Sequence, residues 1–438
     1  MREADVSRRK FLGRAGTAAL AVPLAAAIPA AIEVKSPKTV EAATAQDDRQ
    51  LIPNRVLPTR TIGSTVASFP TPLPTDGTSD ASKAIQDAID SLPAGGGIVR
   101  IPWKTIPGKN MCVYMLDTTR DTDGNSYYAI WMNSNVRLEC EPGVKLQAMT
   151  ITQSPVVTDN AHMIQCRNVN NVEIVNCWLV GERYTHVYSG LDGPNSDQYC
   201  DGIALAGVTG VTIRATQVSN CTGDGINISA TSTSPSTDVV LADVLATGNR
   251  RRGLGISSGN SISVYDSKFA NTGGLAPMDG IGIEPHASSS TQVSNVTIEN
   301  CVITGNAGSG IHLNANGANI TNVNVRNCLI SYNYWYGFYS EMSGAGTVDT
   351  GGFFGNAFFQ NGNQGLAFTG TTSNYTVGAG VKGNGNAFGD NQNLYNAIKY
   401  PNPTETSTYG YVSGTDMTVS AASLSAGTVI HWNRYYTP

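Results

Sequence analysis

Charge is scarce in this sequence. Only 14% of its 438 residues are Asp, Glu, Lys or Arg, and the formal net charge is −5. That excludes the strongly basic surface of a nucleic-acid-binding protein. With 40% hydrophobic residues, mean polarity is also too low for a disordered chain. No Cys-x-x-Cys pair occurs among the eight cysteines, which argues against a structural zinc site. Bulky apolar runs are missing too. The apolar stretch at residues 15–31 is mostly Ala and is interrupted by Pro23 and Pro29, which argues against a membrane anchor. Gly, Asn, Ser and Thr are abundant instead.

The glycines carry a repeat. Seven times a Gly is followed by apolar residues at the next and third-next positions: Gly202-Ile-Ala-Leu, Gly225-Ile-Asn-Ile, Gly253-Leu-Gly-Ile, Gly280-Ile-Gly-Ile, Gly310-Ile-His-Leu, Gly337-Phe-Tyr-Ser and Gly365-Leu-Ala-Phe. Only the sixth departs from the pattern, with Ser340 in its last place. The copies lie 23 to 30 residues apart, the period of a solenoid in which each repeat covers its neighbour's apolar face. Length alone allows two or three domains, but the repeat argues for one. A second strand recurs in each period, for example Val172-Glu-Ile-Val, Val239-Val-Leu and Val296-Thr-Ile. Turns rich in Gly and Asn leave little room for helical crossovers, so the sequence predicts an all-β, single-stranded, right-handed parallel β-helix over residues 76–438. Asn249, Asn306 and Asn333 fall at matching offsets and predict a hydrogen-bonded ladder.

Two segments precede the first coils. Residues 46–75 are Pro- and Thr-rich and read as a linker or extended lead-in. Ala81, Ile85, Ala88, Ile89 and Leu92 then share one face of a helix with Asp80 or Ser82 as cap, ended by Gly95-Gly96-Gly97. A solenoid end needs a lid, and this N-terminal capping helix fits that need. Residues 1–45, with Ser7-Arg8-Arg9-Lys10-Phe11-Leu12-Gly13 before the Ala-rich run and Ala43-Thr44-Ala45 at the end, resemble a twin-arginine export signal. The resemblance implies a secreted protein with no membrane attachment after signal removal. Because such proteins typically fold before export, Cys177, Cys301 and Cys328, which share one repeat offset, are expected as stacked buried thiols rather than disulfides.

Matching offsets become neighbours about 4.8 Å apart. The position before each Gly holds Asp201, Asp224, Arg252, Asp279, Ser309, Tyr336 and Gln364. Two residues after it stand Ala204, Asn227, Gly255, Gly282, His312, Tyr339 and Ala367, and two further on Ala206, Ser229, Ser257, Glu284, Asn314, Glu341 and Thr369. Carboxylates one or two coils apart suit the acid and base separations of glycosidases. Asp224, Asp279, Glu284 and His286 are therefore the candidate catalytic residues, the last two flanking Pro285 at a stiff corner. Asp201, Asn227, Arg252, His312, Tyr339 and Glu341 are candidate substrate contacts, with Gly255 and Gly282 expected to leave a trough for a sugar and Tyr339 a stacking platform. The loop at residues 192–201 carries Asp192, Asp197 and Asp201, but its spacing matches no standard calcium loop. No cofactor is expected, with calcium as a lesser alternative.

From Asp76-Gly-Thr-Ser-Asp80 through the coil phrases, residues 76–370 resemble the pectate-lyase-like right-handed β-helix superfamily. Most members that resemble this act on polysaccharides, and some only bind them. The segment Asp279-Gly-Ile-Gly-Ile-Glu-Pro-His286 resembles the Asp-Pro-His corner of mannuronan C5-epimerases, with Ile281 where that family has a catalytic Tyr. Gly223-Asp224-Gly225 stands where polygalacturonases have paired aspartates, and their Gly-His-Gly and Arg-x-Lys strings are absent. The expectation is a secreted glycoside hydrolase acting on a polysaccharide. A uronate lyase or C5-epimerase, for which Arg250, Arg251 and Arg252 would supply the cation, comes second. A non-catalytic carbohydrate-binding β-helix comes third.

Overall fold

The seven phrases stack in register as parallel strands. Ile203 pairs with Ile226, Ile226 with Leu254, Leu254 with Ile281, Ile281 with Ile311, Ile311 with Phe338 and Phe338 with Leu366. A computed structural model of the chain shows this; it describes residues 55–106, 111–124, 126–151, 160–188, 197–287, 291–378, 385–389, 391, 417–430 and 434–436. Strands Tyr127–Trp131 and Ala161–Arg167 extend the same face before the first phrase, and Met417–Val419 extends it after the last. The fold is an all-β, right-handed parallel β-helix. Inward apolar residues of the phrase, such as Ile203, Ile226, Leu254, Ile281 and Ile311, are fully buried in one continuous core. Period-2 alternation then sets every other residue on the outer face.

The second strands are present as expected, among them Asn170–Val175, Gly259–Tyr265, Val293–Glu299 and Ile320–Arg326. Each coil also has a third strand that was not expected, such as Trp178–Val180, Lys268–Ala270, Val302–Thr304 and Leu329–Ser331. In two coils it runs on from the second, giving Thr209–Ser219 and Thr237–Thr247. The corner between them is made by one left-handed residue, with φ of 54° at Asn176, 50° at Asp266, 55° at Asn300 and 52° at Asn327. Asn and Asp tolerate that conformation better than other residues with a side chain. The next residue turns inward, which buries Cys177, Cys301 and Cys328. All eight cysteines are buried free thiols.

The asparagine ladder forms from Asn306 onward, but Asn249 stands apart from it: Thr272 holds the offset on the coil between, its N–H donating to Asn306 Oδ1, and Asn249 bonds backbone instead. Asn306 Nδ2 donates to Asn333 Oδ1 at 2.8 Å, Asn333 Nδ2 to Asn361 Oδ1 at 3.0 Å, and Asn361 Nδ2 to Asn391 Oδ1 at 2.9 Å. Each member also binds backbone, which satisfies polar groups at a buried corner.

At the N-terminal end the helix Ser82–Asp90 buries Ala84, Ile85, Ala88 and Ile89 over the first coil. Its N-cap is Ala81, without a side-chain bond; Asp80 Oδ1 instead accepts the Ser82 N–H at 2.9 Å. Gln86 completes the lid by accepting the Trp131 N–H at 2.7 Å. The described part of the lead-in is not a loose linker. Arg60 pairs with Asp238 and donates to Thr212 Oγ1 at 2.8 Å, and Arg55 Nε lies 2.9 Å from Asp266 Oδ2 with its guanidinium over the Tyr265 ring. These contacts tie the segment across successive coils as a strap. Toward the C-terminus, Thr372–Val377, Ala387–Gly389 and Met417–Val419 continue the coils, followed by the short helix Ala421–Ser425. The chain divides into units 1–47 and 48–438, and the first, with the expected export signal, lies outside the described residues. No described helix is long and apolar enough to cross a membrane.

Candidate active site

The column before the glycines is buried, not open. Asp201, Asp224, Arg252 and Asp279 are 2%, 0%, 6% and 1% exposed. Each carboxylate has its own partner. Asp201 Oδ1 accepts the Asp224 N–H at 2.8 Å, and Asn227 also bonds its carboxyl. Burial, then the neighbouring Asp224 carboxylate, push the Asp201 carboxyl well above its ordinary value. Asp224 pairs with Arg251 Nη1 at 3.2 Å. Asp279 Oδ1 accepts the Ser309 N–H at 2.8 Å, and its Oδ2 lies 3.1 Å from His312 Nδ1.

Above this layer stand Glu284 and Glu341, the more open carboxylates of the group at 21% and 33% side-chain exposure. Glu284 follows Ile283, which pairs with Leu313, and Asn314 pairs with Glu341. The two glutamates thus share one column with Asn314 between them, two coils or about 9.6 Å apart at the backbone. Each is gripped by a cation. Arg252 Nη2 binds Glu284 Oε2, and Asn314 Nδ2 reaches its Oε1 at 3.4 Å. His312 Nε2 lies 3.2 Å from Glu341 Oε1, while Tyr339 Oη donates to Oε2 at 3.1 Å.

These contacts set the charges. Burial works against the Glu284 carboxylate, but Arg252 beside it outweighs that and holds its pKa below the ordinary value. The bond from His312, against an opposing burial effect, holds Glu341 low as well. Burial opposes charge on His312, yet Asp279 and Glu341 outweigh it and raise its pKa to about 9. For Arg252, Glu284, Asp224 and Asp279 overcome the burial effect and push the pKa up. The arrangement is layered: Asp224 pairs with Arg251 and, with Asp279, favours the charge on Arg252, Asp279 also contacts His312, and Arg252 and His312 hold the two more open glutamates.

Tyr339 is stacked on both sides, against Tyr336 at 4.5 Å and 9° and against His312 at 5.2 Å, so its ring is not the open stacking platform expected from the sequence. Trp335 and Tyr334, on the turn just before, are 44% and 48% exposed and continue this aromatic surface.

Several expectations change. Asp224 and Asp279 are too enclosed to meet a substrate and act as supports. His286 is exposed, with its Nδ1 3.3 Å from Asn316 Nδ2, so the imidazole that meets the carboxylates is His312. The trough over Gly255 and Gly282 is filled: a Cβ on Gly255 would lie 2.4 Å from Asp224 Oδ2, and one on Gly282 2.6 Å from Arg252 Nε. Arg251 was expected only as a cation for a uronate, not as the partner of Asp224, and Asn314 and Tyr199, whose ring lies under the Arg251 guanidinium at 5.4 Å, were not anticipated at the site. Arg251 and Asn314 stand in the aligned coils and were legible in principle; Tyr199 sits in an insertion outside the period. A further buried group, His186 between Glu182 at 2.9 Å and Asp197 at 3.3 Å, lies in the same insertion. Asp197 and Asp201 thus have separate partners and Asp192 is outside the described residues. No cluster of three potential metal ligands occurs among the described residues.

The architecture is that of the right-handed β-helix proteins, and residues 201–380 match a family model described as a right handed beta helix region. Among solved structures, the A-module of mannuronan C-5 epimerase AlgE4 from Azotobacter vinelandii is similar, with 16% identity and a TM-score of 0.59 over 84% of this chain and 94% of that one. The AlgE6 A-module from the same organism gives 18% and 0.55 over 74% and 76%. The Dettilon tailspike protein gives 14% and 0.55 over 84% and 61%. At these identities the likeness is one of fold. An uncharacterized Bacillus subtilis protein, YclG, is 24% identical over 261 residues, which span 56% of this chain and 42% of the relative. The match therefore covers less than half the length of that relative.

Proposed function

We propose that this chain is a secreted enzyme that hydrolyses glycosidic bonds of a polysaccharide with inversion, using Glu284 as base and Glu341 as acid. The observation that carries the reading is their placement: two accessible carboxylates in one outward column, two coils apart, each held by its own cation. One-coil spacing would bring carboxyls near the roughly 5 Å of a retaining pair; two-coil spacing suits the roughly 6.5–9.5 Å of an inverting pair with a water between.

Arg252 keeps Glu284 ionised, as a base must be. Glu341 needs a proton to act as acid, and His312, with a pKa of about 9, stores one 3.2 Å away. A sugar ring seated over Glu341 strips water from it and raises its proton affinity. The imidazolium proton then moves to Glu341 and on to the glycosidic oxygen, while the attacking water gives its proton to Glu284. His312 and Glu341 titrate as a pair, not as separate groups. Fold-sharing with polysaccharide-acting proteins, the mannuronan epimerase modules among them, supports the substrate class.

A uronate lyase or C5-epimerase is the second reading, favoured by Arg251 and Arg252 beside Glu284. The test is a panel of neutral and uronate polysaccharides with product analysis. Hydrolysis yields new reducing ends without ultraviolet absorbance, and Glu341→Gln or Glu284→Gln lowers the rate by about 100- to 10,000-fold with folding intact. Unsaturated, absorbing products would replace hydrolysis with elimination. Full turnover by either variant would remove that residue from the mechanism.

A further inference from the structure

Gly255 and Gly282 are neighbours in register on the outward face. The same offset elsewhere carries Asn227, His312 and Tyr339. Glycine inside a strand weakens it and marks a close approach by something else. Here that something is the chain itself. A Cβ on Gly282 would lie 2.6 Å from Arg252 Nε and 2.9 Å from its Cδ, while one on Gly255 would lie 2.4 Å from Asp224 Oδ2 and in ordinary contact, at 3.6 Å, with the Arg252 Cδ. Arg252 starts at the offset before Gly253, while Glu284 stands two residues beyond Gly282 on the next coil. The straight path between them crosses the two glycines. Arg252 follows that path and ends on the Glu284 carboxylate.

We propose that Gly282 leaves the bare place in which Arg252 lies flat to grip Glu284, while Gly255 beside it makes room for Asp224, making Arg252 a positioning residue for the carboxylate rather than a substrate contact. The inference rests on the reading of Glu284 as the base. Asp224 and Asp279, on either side of Arg252 in its column, hold the guanidinium charged in a buried place. The groups facing Glu284 are Arg252, Arg251, His286, Asn314, Glu341 and Tyr199. Of the cations, Arg252 is the one in direct contact, so its displacement dominates any change in the Glu284 charge.

The test is Gly282→Ala, read by carbon NMR titration of labelled glutamate in the full chain, with Glu284 assigned through Glu284→Gln. The added methyl pushes Arg252 away, and the Glu284 midpoint rises to about 4.3 or above, the ordinary glutamate range. Arg252→Gln gives the same rise, and Arg252→Lys, which keeps the charge but not the fork, gives a smaller one. Circular dichroism and the thermal midpoint establish that each variant is folded, and Arg252→Gln serves if Gly282→Ala does not fold. On the polysaccharide that the panel identifies, kcat falls in mildly acidic buffer while KM stays unchanged. An unmoved Glu284 midpoint in folded Gly282→Ala and Arg252→Gln would overturn the proposal. So would a raised KM with an unmoved midpoint, which would make Arg252 a substrate contact. A shifted midpoint in a protein that cleaves nothing on the panel would uphold the grip and remove the hydrolytic reading.

Discussion

His162 and His312 are both largely buried, yet their pKa values move in opposite directions. His162 Nδ1 lies 3.6 Å from Asp201 Oδ2, too far for a hydrogen bond, and burial drives its pKa down to about 4. His312 sits within 3.2 Å of two carboxylates and is raised to about 9. The difference comes from partners rather than depth, and no sequence pattern separates the two. Since the folded-state pKa of His312 is above the unfolded value of about 6.5, its stabilising effect is complete below that pH and is lost as pH rises through about 9. Activity should follow: it falls above about pH 9 as the stored proton leaves. In His312→Gln the alkaline limb should move to lower pH and the rate should drop, as measured by a pH–rate profile. An unchanged limb would mean that the proton comes from elsewhere. The sequence placed Asp224 and Asp279 in the right column but not at the right depth, because depth depends on where Arg251, Arg252 and His312 lean.

At the level of elements, the asparagine ladder was legible because its members recur at one offset, whereas the third strands were not. Trp178–Val180 and Lys268–Ala270 are three residues long, too short to show a period. What defines them is the left-handed corner before them. The ladder has a measurable worth. Asn333 Oδ1 accepts from Asn306, and its Nδ2 donates to Ile303 O at 3.2 Å and Asn361 Oδ1 at 3.0 Å. Removing it leaves buried partners unsatisfied, which costs about 1–3 kcal/mol. Asn333→Ala should therefore lower the thermal midpoint clearly, while Asn324→Ala, whose side chain bonds Asn322 at an exposed corner, should stay within about 0.5 kcal/mol. Equal effects would mean that the buried ladder adds nothing beyond an exposed hydrogen bond.

For the whole molecule, the seven-fold glycine phrase carried most of the fold. Each predicted neighbour along it, from Ile203 beside Ile226 to Phe338 beside Leu366, is a neighbour in register. The strap was missed because Arg55 and Arg60 lie outside the period, and their partners Asp266 and Asp238 are about 180 to 210 residues away in sequence. The register converts offsets into distances, and distances into a stereochemical expectation. Glu284 and Glu341 stand two coils apart, so water should attack from the face opposite the leaving group. Proton NMR of the anomer released in the first turnovers of the wild-type enzyme tests this most directly. The inverted anomer is the predicted result; a retained anomer, or an unsaturated product, would contradict the assignment of Glu284 and Glu341 as an inverting pair.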